Sequence, residues 1–272
     1  MSTLAERAEQ ELNAILAQYA AGEAEVVRAF FARPRSRDEL ADMVRRQMGR
    51  EVFCVGWLER AVRQGRELER TVDRHAFVEL LEQIADELRH YALLADLVEW
   101  LLGRQLTAEE AREYEVYAVY DPDVPLERQY NPRLPEANAM IDLLRELRAR
   151  YPTAFTDAVM RLTEGGGGGA FQEASGLAGD EFRERFARAM GRIVEDEIEH
   201  GPLRVRGFVQ QWIRDEADLA LAKELLRTFM AQHLRVRNEI YGSPLSAERL
   251  AAIDRGEITP WALPTPPSEV PA

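Results

Sequence analysis

Between residues 77 and 101, positions spaced alternately by three and four read Phe77, Leu80, Ile84, Glu87, Tyr91, Leu94, Val98 and Leu101. That spacing keeps one face of an α-helix turned toward a neighbour. The segment therefore predicts a long helix whose buried stripe carries a carboxylate at its centre. Burying an uncompensated carboxylate costs several kcal/mol. His90 stands one turn beyond Glu87 on nearly the same face. A metal cation held by the two side chains would remove the cost, and a satisfied polar pair is the alternative. The pattern recurs over a second segment, where Phe186, Met190 and Ile193 lead into Glu197 and His200. The other two histidines, His75 and His233, lack a glutamate three residues before them and read as surface or capping residues.

Helical patterning covers almost all of the 272 residues. A first amphipathic segment spans residues 3–31 and stops near Pro34. Ser36 caps a second helix running from Arg37 into the mid-60s. The third, with the Glu87 stripe, runs from Asp73 to Gly103. A crossover of residues 104–151 follows. It holds a short helix at 108–117, a loop with Pro122, Pro125, Pro132 and Pro135, and a helix from Glu136 to Arg150. Pro152 opens a further helix. Another ends at His200, with a kink or restart at Gly201-Pro202. A last helix covers 215–241. From Pro260 onward five prolines fall in 13 residues, the mark of an extended tail. No strand-like alternation or solenoid-length repeat appears. The reading is all-α: one domain over 1–258 with a core bundle at about 37–200, and a Pro-rich tail at 259–272.

The formal net charge of −13 argues against a nucleic-acid or anionic-membrane partner. No apolar run reaches the roughly 18–20 residues that cross a bilayer. The opening residues, Met1 to Glu11, are polar and acidic. With Cys54 the single cysteine, these features predict a cytoplasmic protein.

Two helices, a long crossover and two more helices, with a Glu-x-x-His motif in each half, resemble the ferritin-like di-iron carboxylate superfamily. The resemblance covers roughly residues 37–200 and implies a four-helix bundle with extra helices at both ends. It implies a site for two iron ions, or a manganese–iron pair, and O2 as a reactant. It also implies one further carboxylate on the partner helix of each motif. Ligands paired across an antiparallel hairpin stand about equally far from its turn. Glu164 and Glu197 have their midpoint near Asp180, at a Gly176–Asp180 turn. Glu173 fails that test. In the first half, Glu51 lies on the stripe Val44, Met48, Val55, Leu58, Val62, and its midpoint with Glu87 is residue 69. Glu59 competes, but Glu51 has the better distance. The implied metal ligands are Glu51, Glu87, His90, Glu164, Glu197 and His200.

Residues 165–169 are five consecutive glycines. One reading is a linker that ends a helix at Glu164. The other, required if Glu164 is a ligand, continues the helix to about Ala174. Each mid-helix glycine then costs about 1 kcal/mol relative to alanine. Such a wall, lined by Gly165, Gly167 and Gly168, would leave room beside the metals for substrate or oxygen. A roomy wall favours an O2-dependent oxidase or monooxygenase acting on a small organic substrate. A ferroxidase or metal-handling protein, and a metal-free helical interaction protein, are the rivals. Tyr91 reads as packing rather than a radical site, and Cys54 as a buried thiol. No Gly-x-Gly-x-x-Gly motif or cysteine cluster is present, so electrons would come from a separate donor protein. A homodimer is the other partnership considered.

Overall fold

The computed structural model describes residues 3–51, 58, 70, 74–116, 120–197 and 201–262. Among the described residues the chain is all-helical, with no strand. The helices are α1 (Leu4–Phe31), α2 (Arg37–Glu51), α3 (Arg74–Leu102), α4 (Ala108–Arg112), α5 (Leu126–Gln129) and α6 (Pro135–Arg150). They continue with α7 (Thr153–Arg161), α8 (Thr163–Ser175), α9 (Glu181–Glu197), α10 (Gly201–Trp212), α11 (Glu216–Ile240) and α12 (Ala247–Asp254). None is long and apolar enough to cross a membrane.

Side-chain caps place several helix starts. Thr3 and Glu6 close a reciprocal capping box at α1, and Thr107 and Glu110 do so at α4. Ser36 Oγ accepts from the Glu39 amide while Glu39 accepts from Ser36, which begins α2 where the sequence reading put it. Asp215 caps α11 through the amides of Ala217 and Asp218. Each such cap stabilises by about 1 kcal/mol.

The chain divides into two compact units, Pro34–Ile141 on one hand and Met1–Arg33 with Asp142–Ala272 on the other. In the first, α2 packs along α3. The crossover folds back onto α2: Tyr114 donates to Asp42 Oδ1, and Arg46 lies 5.1 Å above the Tyr114 ring. Asn131 Nδ2 donates to the carbonyls of Glu113 and Glu115 and fixes the same stretch. The approach is close enough that a Cβ on Gly49 would lie 2.0 Å from the Tyr114 carbonyl oxygen. Only glycine fits there, two residues before Glu51.

In the second unit α1 is the central element, flanked by α8, α10, α11 and α12. Its stripe Leu12, Leu16, Tyr19, Val26 and Phe30 is buried, and so is Glu23 at 0% exposure. Glu23 Oε1 lies 2.7 Å from His233 Nδ1, and Oε2 lies 3.6 Å from Arg237 Nε. His233 is thus a buried partner of a carboxylate, not the surface or capping residue expected. The tail begins pinned rather than loose: the Trp261 amide donates to Ala17 O and its indole to Gln172 Oε1. Residues 263–272 lie outside the described residues.

Residues 163–175 are one α-helix, so the glycine run is helical and not a linker. Its cause at one position is packing. A Cβ on Gly169 would stand 2.1 Å from the Ala20 carbonyl oxygen, so α8 can lie this close to α1 only without a side chain. At Gly168 an added Cβ meets nothing within 4 Å. The side-chain surroundings of residues 164–167 lie outside the described residues.

Candidate metal centre

Glu51 lies in α2, and Glu87 and His90 lie one turn apart near the middle of α3. The apolar faces of the two helices meet through Val44 and Met48 on one side and Ile84 and Leu94 on the other, all at most 3% exposed. Helical periodicity then carries Glu51, Glu87 and His90 inward with them. His90 is 1% exposed, Glu51 8% and Glu87 17% by side chain. One ligand atom from each of the three lies within 4.8 Å of the others. Among the described residues they are the one such group able to hold a metal ion.

His90 Nδ1 is 3.5 Å from Glu87 Oε2 and 3.8 Å from Glu51 Oε2. Both exceed the span of about 2.7–3.2 Å for an N–H···O hydrogen bond. Two donors each about 2.1 Å from a shared ion stand about 3.0–3.6 Å apart for ligand angles between a right angle and trigonal. A small contraction about a cation would satisfy that geometry. The charge balance points the same way. Two carboxylates face one imidazole, and burial, then the neighbouring Glu87, push the Glu51 carboxyl up to about 8. Glu51 and Glu87 share a hydrogen bond, so a proton takes the place that a cation could fill. The Glu23 cluster differs: its carboxylate has a histidine at hydrogen-bonding distance and a guanidinium beside it, and needs no further cation.

Gln47, 2% exposed, donates its amide to Glu51 Oε1 one turn earlier on α2. It leaves Oε2 turned to His90 and so orients the carboxylate, the usual task of a group behind a metal ligand. Sequence reasoning missed Gln47. The available signal was a polar residue four before Glu51, on the same helix face.

The structure thus brings together three of the six expected ligands. Glu164 lies in α8 and Glu197 in α9, with side chains outside the described residues; His200 lies outside them altogether. The α8–α9 hairpin turns between Ser175 and Glu181, where equal spacing of Glu164 and Glu197 requires it, with Gly179 at φ +128°. Glu59 and Cys54 lie outside the described residues. Leu58, assigned to the apolar stripe of Glu51, is 37% exposed. Tyr91 is half-buried beside His90. Compared with family models, curated proteins and solved structures, the chain gives no match.

A pH dependence follows. A metal ion must displace the Glu51 proton, so its apparent affinity rises about tenfold per pH unit up to about pH 8 and then levels. The metal-free protein behaves in the opposite sense. Its folded-state Glu51 is protonated up to about pH 8, whereas an unfolded glutamate ionises near about 4.3. Glu51 therefore contributes stability fully below the unfolded value, and that stability is lost as pH rises through 8. Competition titrations with cobalt(II) from pH 6 to 9, beside melting curves, measure both; a flat affinity profile would contradict the assignment.

Proposed function

We propose that this chain is an O2-dependent di-iron, or manganese–iron, oxidase or monooxygenase acting on a small organic substrate. One observation supports it above the rest: two carboxylates and an imidazole buried together on the facing stripes of α2 and α3. Carboxylate oxygen with imidazole nitrogen is a donor set suited to iron and manganese. In this reading Glu51, Glu87 and His90 hold one ion, and Glu164, Glu197 and His200 complete the pair in the manner of ferritin-like carboxylate proteins. Bound metals supply O2 activation and the oxidising power toward a C–H, C=C or N–H group. The chain's own residues would fix the ligands and exclude bulk water by burial, and in this reading Gly168, where an added Cβ meets nothing within 4 Å, would line the substrate space. A separate electron donor would sustain turnover, and the single cysteine favours a cytoplasmic setting.

Anaerobic titration with ferrous iron followed by oxygen uptake tests the reading. The expected result is about two iron ions per chain, with oxygen uptake that needs a reductant and is lost in His90→Ala. Continued oxidation of excess ferrous iron without a reductant would make the protein a ferroxidase. Binding below one equivalent would remove the metal reading altogether.

A further inference from the structure

Helix α3 carries a second apolar stripe, on the side turned away from His90. Val78, Leu81 and Leu88 are 51%, 40% and 37% exposed. With Ala85, Ala92 and Ala95 they occupy positions 78, 81, 85, 88, 92 and 95, again spaced by three and four. A metal-binding helix needs one buried face, and a second apolar stripe about 26 Å long, exposed at Val78, Leu81, Leu88 and Ala92 and half-buried at Ala85 and Ala95, is costly to leave in water.

We propose that this stripe is the interface through which two copies of the chain pair, α3 against α3, antiparallel about a two-fold axis near residues 86–87. The order of side-chain sizes carries the proposal. Run antiparallel, Leu88 meets Ala85 of the second copy, Leu81 meets Ala92, and Val78 meets Ala95. Every bulky residue faces an alanine, as close interdigitation of two helices requires. A parallel pair in register would set Leu81 against Leu81 and Ala85 against Ala85, crowding one layer and hollowing the next.

The flanking charges agree. Along one edge, at intervals of seven, stand His75, Glu82, Arg89 and Asp96. Antiparallel pairing sets Glu82 beside Arg89 of the second copy, and His75 beside Asp96. The two-fold axis makes each contact twice. Arg89 also pairs with Asp86 on its own helix, but its side chain is 65% exposed and within reach of a second carboxylate. Parallel pairing would instead put the two copies of this edge on opposite sides of the seam, where none of these charges meets its opposite. The surface is thus complementary to itself in one orientation only.

Sedimentation equilibrium at micromolar concentration tests this directly. The unaltered chain should be a dimer. Leu81→Glu with Leu88→Glu should raise the dimer dissociation constant about tenfold or more, while helicity and metal content stay unchanged. Glu82→Arg alone and Arg89→Glu alone should each weaken the dimer, and the two together should restore it. In a Cys54→Ser background, Ala85→Cys lies near the axis and should cross-link two chains on oxidation. Val78→Cys should not, because antiparallel pairing separates the two copies by about 26 Å. A monomeric unaltered chain, or a dimer that survives the double glutamate variant, would overturn the proposal. So would loss of helicity in that variant, which would show that the stripe packs within its own chain. Equal cross-linking at residues 78 and 85 would overturn the antiparallel arrangement.

Discussion

Glu51→Gln is expected to leave the metal-free protein as stable as before, or more stable, while lowering metal affinity at least about a hundredfold. The carboxyl group is buried, held protonated up to about pH 8, and faces a second carboxylate. A neutral amide of the same shape removes the repulsion and still accepts from Gln47 at the position of Oε1. The gain in melting temperature should be larger at pH 9 than at pH 6, because only at the higher pH is the native carboxylate ionised. A purely structural role for Glu51 predicts a lower melting temperature at both values. Calorimetric melting with metal titration on the same two proteins decides between them. A residue kept at a cost in stability is what a functional site looks like.

The second large effect separates two adjacent glycines. Gly169→Ala should destabilise by about 3 kcal/mol, because its Cβ would lie 2.1 Å from a backbone oxygen of α1. The clash is with main chain of a packed helix, so no rotamer change relieves it. Gly168→Ala meets nothing within 4 Å and should stabilise by up to about 1 kcal/mol, the helix-propensity gain. Denaturant unfolding of the two variants should give opposite signs. Equal effects would mean that α8 does not lie against α1 as described.

These contrasts show which features could be read from residue order. The stripe of α3, with Glu87 and His90, was visible because a helix repeats within a few residues. The same holds for Phe186, Met190 and Ile193 on α9, each at most 1% exposed. Glu51 follows from counting outward from a turn, a distance along the chain that an antiparallel hairpin preserves. Other features depend on residues far apart in sequence. Glu23 also sits on an apolar stripe, yet its partner His233 is 210 residues away, and nothing local announces the pairing. A carboxylate on a stripe thus marks a buried charge that must be compensated, not by itself a metal. The reason for Gly169 likewise lies in Ala20, on another helix, so residue order shows the glycine run as space where one member serves contact. Gln47 is hard to read from sequence because a glutamine on a helix is ordinary until its neighbour proves to be a buried acid.

The central claim is that Glu51, Glu87 and His90 hold a metal ion. Crystals of protein loaded with iron and manganese, measured at the absorption edges of both, test it most directly. The account predicts an anomalous peak about 2.0–2.2 Å from one oxygen of each glutamate and one nitrogen of His90. Density between these side chains with no anomalous signal at either edge, and Glu51 still hydrogen-bonded to Glu87, would contradict it.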